Sequence, residues 1–469
     1  MADTKSQLDK MTKTPIKKLI VRLAIPTVLS MLVTTVYNLV DTEFVGRLGT
    51  AASGAVSIVF GFMAILQAVG FMFGQGSGSL VSRSFGSKDK EKASRIASTG
   101  FFCSLFMGAA VAIICACNLD PLIRFLGSTD TIAPYAKKYI IYILITAPLV
   151  VSSFTLNNIL RFEGKAALGM IGLMAGGVLN IGGDALFMFV FDMGIAGAGL
   201  STAISQTISF LILLSVFLAG KTESKLSIRK VSVGDSTIAD ICTTGLPSLL
   251  RQLLGSVGTV VLNRAAKACA LEAGFLQDSA VSAMGIVNRI SFLLFAIALG
   301  IGQGFQPVCG FNFGAKKYGR LREGYRFTLF LAEAVLAFLT IFVFIFSPEL
   351  VRFMRNDDQV VEIGTRALRL VSVAQIFLPF CMVTEMLMQS SGKRLSASIL
   401  SCLRGGLLFI PALWILSAVR GLNGVEEAQP LAYLLSVPPA LFFAKFFFDR
   451  IPETDETGEG ELRESDSGH

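Results

Sequence analysis

Two acidic residues lie where charge is costly. Asp184 is followed directly by the apolar run Ala185–Val190, and Asn180, four residues earlier, shares its helix face. Asp41 closes an earlier apolar run, with Tyr37 one helical turn before it. Thr202 adds a hydroxyl in the run that follows Asp184. A charge buried in hydrocarbon costs several kcal/mol, so acids kept there point to a functional site. Two carboxylates, an amide and a hydroxyl make an oxygen-rich group suited to Na+ or to holding a proton. A structural role is the competing reading: Asp184 and Asn180 bond neighbouring helices, and Asp41 caps a helix end.

Other charges fall inside apolar runs in the second half: Arg251, Arg289, Glu385 and Arg404. Glu385 and Arg404 are a candidate polar pair: Arg–Glu pairing that locks this half is one reading, and a coupling or substrate role is the other. Arg161 and Glu163 lie at a helix end, as a gate or as a solvated terminus. The single histidine is His469, the last residue, which leaves no histidine chemistry inside the chain. The eight cysteines sit in or beside apolar runs without metal-ligand spacing and read as small packing residues. Gly220-Lys221-Thr222 lacks the first glycine of a phosphate loop, because position 215 is Ser. The chain reads as neither an enzyme nor an ATPase. No cofactor is expected beyond a coupling ion.

The elements that position these residues follow from composition. Of 469 residues, 53% are hydrophobic and 16% charged, with a net charge of +8. Mean hydropathy is +0.66. Apolar runs of 18–26 residues recur, each long enough to cross about 30 Å of hydrocarbon as a helix. Twelve spans are predicted: 19–45, 52–82, 95–117, 134–159, 166–191, 195–219, 240–264, 281–310, 325–347, 364–389, 396–419 and 430–449. The fold class is an all-α polytopic membrane protein in two six-helix lobes. Basic residues cluster before the first span and after the second, sixth, eighth and tenth, which puts both termini in the cytoplasm. This accounts for the positive charge without nucleic acid. At about 1.5 Å per residue, Asp41 lies about 6 Å from the outer end of its span, and Asp184 and Thr202 about 10 Å from theirs.

The halves repeat. Gly74-Gln75-Gly76 recurs as Gly302-Gln303-Gly304, an offset of 228 (302 − 74). Phe85-Gly86 and Gly164-Lys165 recur at the same offset, as Phe313-Gly314 and Gly392-Lys393. Ala24-Ile25-Pro26 recurs as Gly245-Leu246-Pro247, offset 221, so about seven residues are inserted after the seventh span, where the loop Glu272–Ser279 fits. Repeats with an even number of spans share one orientation and are related by an axis along the membrane normal. The glycines serve close helix packing. Pro26 removes a backbone hydrogen bond and is a candidate hinge. The expected segments are a cytoplasmic lead-in (1–18), an N-terminal lobe (19–219), a cytoplasmic linker (220–239), a C-terminal lobe (240–449) and a disordered acidic tail (450–469).

Pro26, Asp41–Gly49 (DTEFVGRLG), Gly74–Gly86 (GQGSGSLVSRSFG), Asn180–Asp184 and Gly194–Ser205 (GIAGAGLSTAIS) together resemble the multidrug and toxic compound extrusion (MATE) transporters over residues 15–445. The resemblance implies export of amphipathic, often cationic compounds in exchange for Na+ or H+. The expected setting is the cell membrane, in contact with lipid, as a monomer. One branch of the family holds its cation site in the N-terminal half, and Asp41, Asn180, Asp184 and Thr202 match that pattern. Tyr37 and Asn157 match the adjoining substrate pocket. A glutamate that another branch carries on its seventh helix is Gly255 here, against a cation site of that kind. Many relatives place Pro after the fifth-helix Asp, where this chain has Ala185. A lipid-linked precursor flippase of the wider superfamily is the alternative, and a non-transporting receptor or scaffold is a third.

Overall fold

Residues that must satisfy every backbone polar group without water fold as helices, and helices make up most of the described residues. The computed structural model describes residues 2–270, 274–453 and 455. In the first half these are α1 (Ala2–Lys13), α2 (Ile16–Gly46), α3 (Thr50–Gly86), α4 (Lys90–Cys117), α5 (Leu119–Phe125), α6 (Ala133–Phe162), α7 (Ala166–Asp184) and α8 (Gly194–Leu218). In the second they are α9 (Thr237–Ala270), α10 (Gln277–Gly314), α11 (Tyr318–Ile345), α12 (Ser347–Met354), α13 (Asp358–Gln375), α14 (Leu378–Ser390), α15 (Arg394–Cys402), α16 (Phe409–Arg420) and α17 (Leu422–Phe448).

Among the described residues eleven helices, counting α15–α16 as one, are long and apolar enough to cross a membrane. The α13–α14 pair, bent by 46°, supplies a twelfth. Each coincides with a predicted span. Short wide π turns, Ala185–Val190 and Leu403–Leu407, follow Asp184 and enclose Arg404. Helix α2 runs through Pro26 without a break.

The first helix of each half packs on the second helix of the other: α2 on α10, and α9 on α3. Glycines make this possible. A Cβ on Gly245 would overlap the Met72 carbonyl oxygen, and one on Gly76 the Ile241 carbonyl oxygen. In the repeat-related pair, a Cβ on Gly304 would lie 2.6 Å from Ala24 Cα. Ser82 packs on Gly310 and Gly86 against Gly314, each residue meeting its own counterpart at offset 228. These contacts mark the pseudo-two-fold axis, and the glycines of the repeated motifs line the seam beside it.

The hydrophobic cores divide accordingly. At the end of the bundle that carries the N-terminus, one core is shared by both halves and contains Leu19, Phe85, Phe305, Phe311 and Phe447. At the opposite end there are two. Val45, Phe62, Ile140 and Ile195 belong to a core buried in the first half. Leu262, Ala283, Val351 and Tyr433 belong to one buried in the second. The halves therefore join at the end carrying the N-terminus and are separately packed at the other.

The lead-in is helical, as α1, and lies across the joined end. Gln7 Nε2 donates to the Glu163 carbonyl at 2.7 Å in the first half. Asn312 Nδ2 donates to the Met11 carbonyl at 3.2 Å, and Lys317 Nζ to the Thr12 carbonyl at 3.2 Å, from the second. Of the expected acidic tail, residues 454 and 456–469 lie outside the described residues, and Asp455 accepts from the Gly319 amide at 2.8 Å. Residues 272–273 of the insertion loop also lie outside them.

Candidate functional site

Helices α7 and α8 approach closely because Gly183 has no side chain: a Cβ there would lie 2.5 Å from Ser201 Oγ. That approach places α8 hydroxyls beside α7 polar groups. Asn180 Nδ2 donates to Thr202 Oγ1 at 3.2 Å and lies 3.4 Å from Asp184 Oδ1. Ser201 Oγ donates to the Asn180 carbonyl at 3.0 Å. Asp41, brought in by α2, faces Asp184 within hydrogen-bonding reach. All four expected cation-site residues thus meet in one place, and all are buried.

Three oxygens here are buried without a hydrogen-bond partner: Asp41 Oδ1, Asp184 Oδ2 and the Tyr139 hydroxyl. Orphaned acceptors are rare in folded interiors. Two facing carboxyl groups need a cation or a shared proton between them. The donor set of carboxylate, amide and hydroxyl oxygens fits a hard cation. Among the described residues there is no group of three or more His, Cys, Asp or Glu side chains able to hold a metal.

Tyr139 on α6 was not foreseen. Its hydroxyl faces Thr202, and it is fully buried beside the acids. Tyr37 packs against Gly177 and faces Gln206, about one turn deeper than Asp41. Asn157 lies elsewhere, against Gly169, which is about 16 Å along α7 from Asn180.

The second half arranges its charges differently from expectation. Glu385 pairs with Arg251, Nη1 to Oε1 2.6 Å, and both side chains are nearly sealed from solvent. The expected Glu385–Arg404 pair is not formed. Arg404 instead lies over the rings of Phe295 and Tyr433, at 4.9 and 5.9 Å from their centroids. Arg289, on the outside of α10, is exposed. Removing either partner of the Arg251–Glu385 pair leaves an uncompensated buried charge. Arg251→Met or Glu385→Gln should therefore cost about 3–5 kcal/mol, whereas the double replacement by Met should come close to neutral. Unfolding midpoints of the two singles and the double in detergent check this. Equal, small shifts in all three would contradict it.

Arg161 and Glu163 turn apart. Arg161 donates to Asn158 Oδ1 at 2.5 Å. The Glu163 carboxylate accepts from the amides of Glu223 and Ser224, at 2.9 and 3.1 Å, and from the Ser224 hydroxyl. It thereby pins the segment between the halves to the end of α6. Burial pushes its carboxyl above the ordinary value, against the pull of these hydrogen bonds.

Two six-helix lobes related by an internal repeat, joined at one end and holding a buried acid pair within one of them, define a polytopic membrane transporter. A family model described as MatE matches residues 26–186 and 266–415, and the chain belongs to that family. Multidrug export protein MepA of Staphylococcus aureus strain MSSA476 is 26% identical over 456 residues, covering 97% of this chain and 99% of the relative. A solved structure described as the outward-facing conformation of a multidrug resistance MATE family transporter superposes with TM-score 0.88 at 26% identity, covering 94% of this chain and 97% of that one. A transporter from Pyrococcus furiosus, described as having a binding pocket of reverse polarity, gives TM-score 0.88 at 26% identity, with coverage of 94% and 98%.

Proposed function

We propose that this transporter exports amphipathic, often cationic compounds across the cell membrane in exchange for Na+ or H+, with its coupling site at Asp41, Asn180, Asp184 and Thr202. The facing carboxyl groups of Asp41 and Asp184 carry this reading. A cation between them is held by two charges, and its loss sets the two against each other. A coupling ion drives a conformational change only through different affinity for the two states. Asp41 on α2 and Asp184 on α7 stand on separate helices, so a shift of one against the other changes the spacing of the pair.

The basic segments at the joined end support a cytoplasmic location for both termini. The lobes are then closed toward the cytoplasm and part toward the outside. Likeness to a relative solved in an outward-facing conformation supports the same assignment. Tyr37 and Gln206 stand beside the acids as candidate substrate contacts. Rocking about the glycine seam gives alternating access.

The test is transport of a fluorescent organic cation in proteoliposomes, with Na+ and pH gradients imposed separately. One of the two should drive accumulation against the substrate gradient. Transport indifferent to both would overturn the coupling assignment.

A further inference from the structure

A cavity lies in the other half of the molecule from the acid pair. It occupies about 330 Å³ among the helices of the C-terminal lobe, with Ala64 and Gln67 of α3 closing one side, a size that suits a small organic ligand. Its charged lining residues are both arginines, Arg251 and Arg404. Arg251 is neutralised from behind by Glu385. Arg404, partly buried, forms no ion pair among the described residues; the one carboxylate near it, Glu385, is paired with Arg251, so two arginines share a single counter-charge. The Arg404 guanidinium is flanked by Phe295 and Tyr433. At ten residues, or about 15 Å, from the start of α15, it lies near the middle of the bilayer. A cation held at that depth calls for a counter-charge.

The other polar groups fit a ligand with oxygen atoms. Gln429 Nε2 donates to the Tyr433 hydroxyl at 2.8 Å and fixes that ring. Ser291 Oγ lines the cavity, buried and without a hydrogen-bond partner, and can donate to a ligand oxygen; Gln375 Oε1 beside it, also unpartnered, can only accept and suits a hydroxyl of the ligand. The aromatic rings offer faces for stacking, and a guanidinium forks onto a carboxylate or phosphate.

We propose that this cavity is a binding site for the oxyanion, carboxylate or phosphate, of an amphipathic molecule with a flat apolar body, Arg404 holding the anion and Phe295 and Tyr433 the body. It stands apart from the coupling site and does not depend on that assignment. It takes the charge class opposite to the cationic compounds considered above. Gln252 Nε2 donates to Gln67 Oε1 of the N-terminal lobe at 3.4 Å, so the ligand lies beside a contact between the halves.

The experiment is equilibrium binding of 1-naphthoate, 1-naphthyl phosphate and 1-naphthylmethylammonium to the full chain in nanodiscs of neutral lipid, with empty discs subtracted. The two anions should bind and the ammonium should not. Arg404→Gln should weaken anion binding at least tenfold, and Arg404→Lys should recover part of it. Arg289→Gln, which removes an exposed charge from α10, should leave it unchanged. Discs containing phosphatidylglycerol separate the sources. Competition by that lipid identifies a lipid headgroup as the natural oxyanion, and unaltered binding identifies a free organic anion. Equal binding of the ammonium and the carboxylate overturns the proposal, as does full anion binding in Arg404→Gln or equal loss in Arg289→Gln. If Arg404→Gln does not fold, the ligand selectivity of the parent chain and Tyr433→Leu, expected to weaken the naphthyl anions severalfold, decide the matter.

Discussion

Asp184→Asn should abolish gradient-driven efflux while leaving a folded transporter. The substitution keeps the shape of the side chain, so packing against Ser201 and Asn180 survives. It removes one of two facing carboxyl groups and, with it, the requirement for a cation or proton between them. A site that binds the ion equally well in both states, or not at all, transmits no driving force. We expect active efflux of a fluorescent cation to fall about a hundredfold, the equivalent of about 2.7 kcal/mol in the barrier to the driven cycle. Exchange of labelled for unlabelled substrate, which needs no ion, should persist. Asp41→Asn should reduce efflux less, since the fully buried Asp184 keeps its Asn180 contact. The measurement is efflux and exchange side by side in proteoliposomes. Ion-dependent efflux at the parent rate in both variants would remove these acids from the coupling mechanism.

Gly245→Ala should shift the protein out of the conformation described here. The new methyl would overlap the Met72 carbonyl oxygen, a backbone atom with no rotamer to yield. Overpacking of this kind costs about 1–3 kcal/mol, and it falls only on the state in which the seam is closed. A penalty of about 2–3 kcal/mol moves the balance between closed and open seam by about 30- to 150-fold. Cys309, fully buried beside the seam, reports the change. Its alkylation, read peptide by peptide, should rise in Gly245→Ala while transport falls. An unchanged labelling rate together with parent-level transport would show that the seam does not separate during the cycle. Gly285→Ala, where a Cβ meets nothing within 4 Å, serves as the control.

The spans were legible because a helix in lipid must be long and apolar, and hydropathy reports both. The two acids were legible because charge inside an apolar run is costly whatever surrounds it; Asn180 and Thr202, uncharged, were singled out by their place beside Asp184 and by the family resemblance, and all four lie together. Tyr139 and Ser201 did not, since a tyrosine or serine in an apolar helix carries little penalty and no signature. The Glu385 pairing failed for a geometric reason. Arg404 lies 19 residues (404 − 385) from Glu385 on the next span, whereas Arg251 lies 134 residues away and meets it only through the packing of the bundle, which sequence spacing does not report. The docking of α1 was hidden for a similar cause: its polar sequence reads as a solvated lead-in, but its backbone carbonyls serve as acceptors for Asn312 and Lys317.

Because Ser82 meets Gly310 and Gly86 meets Gly314, each half offers the other the same surface, as the subunits of a two-fold dimer do. Here the two are one chain. The segment between α8 and α9 keeps them at an effective concentration of about millimolar or more, however far the contact itself has parted. Two free subunits holding on by such a surface would need it to be strong, or they would be lost to each other by dilution. Tethered halves are released from that demand. Their contact can be weak enough to open in every turn of a cycle, and its strength is then set by how much time each state must occupy and not by the need to stay assembled.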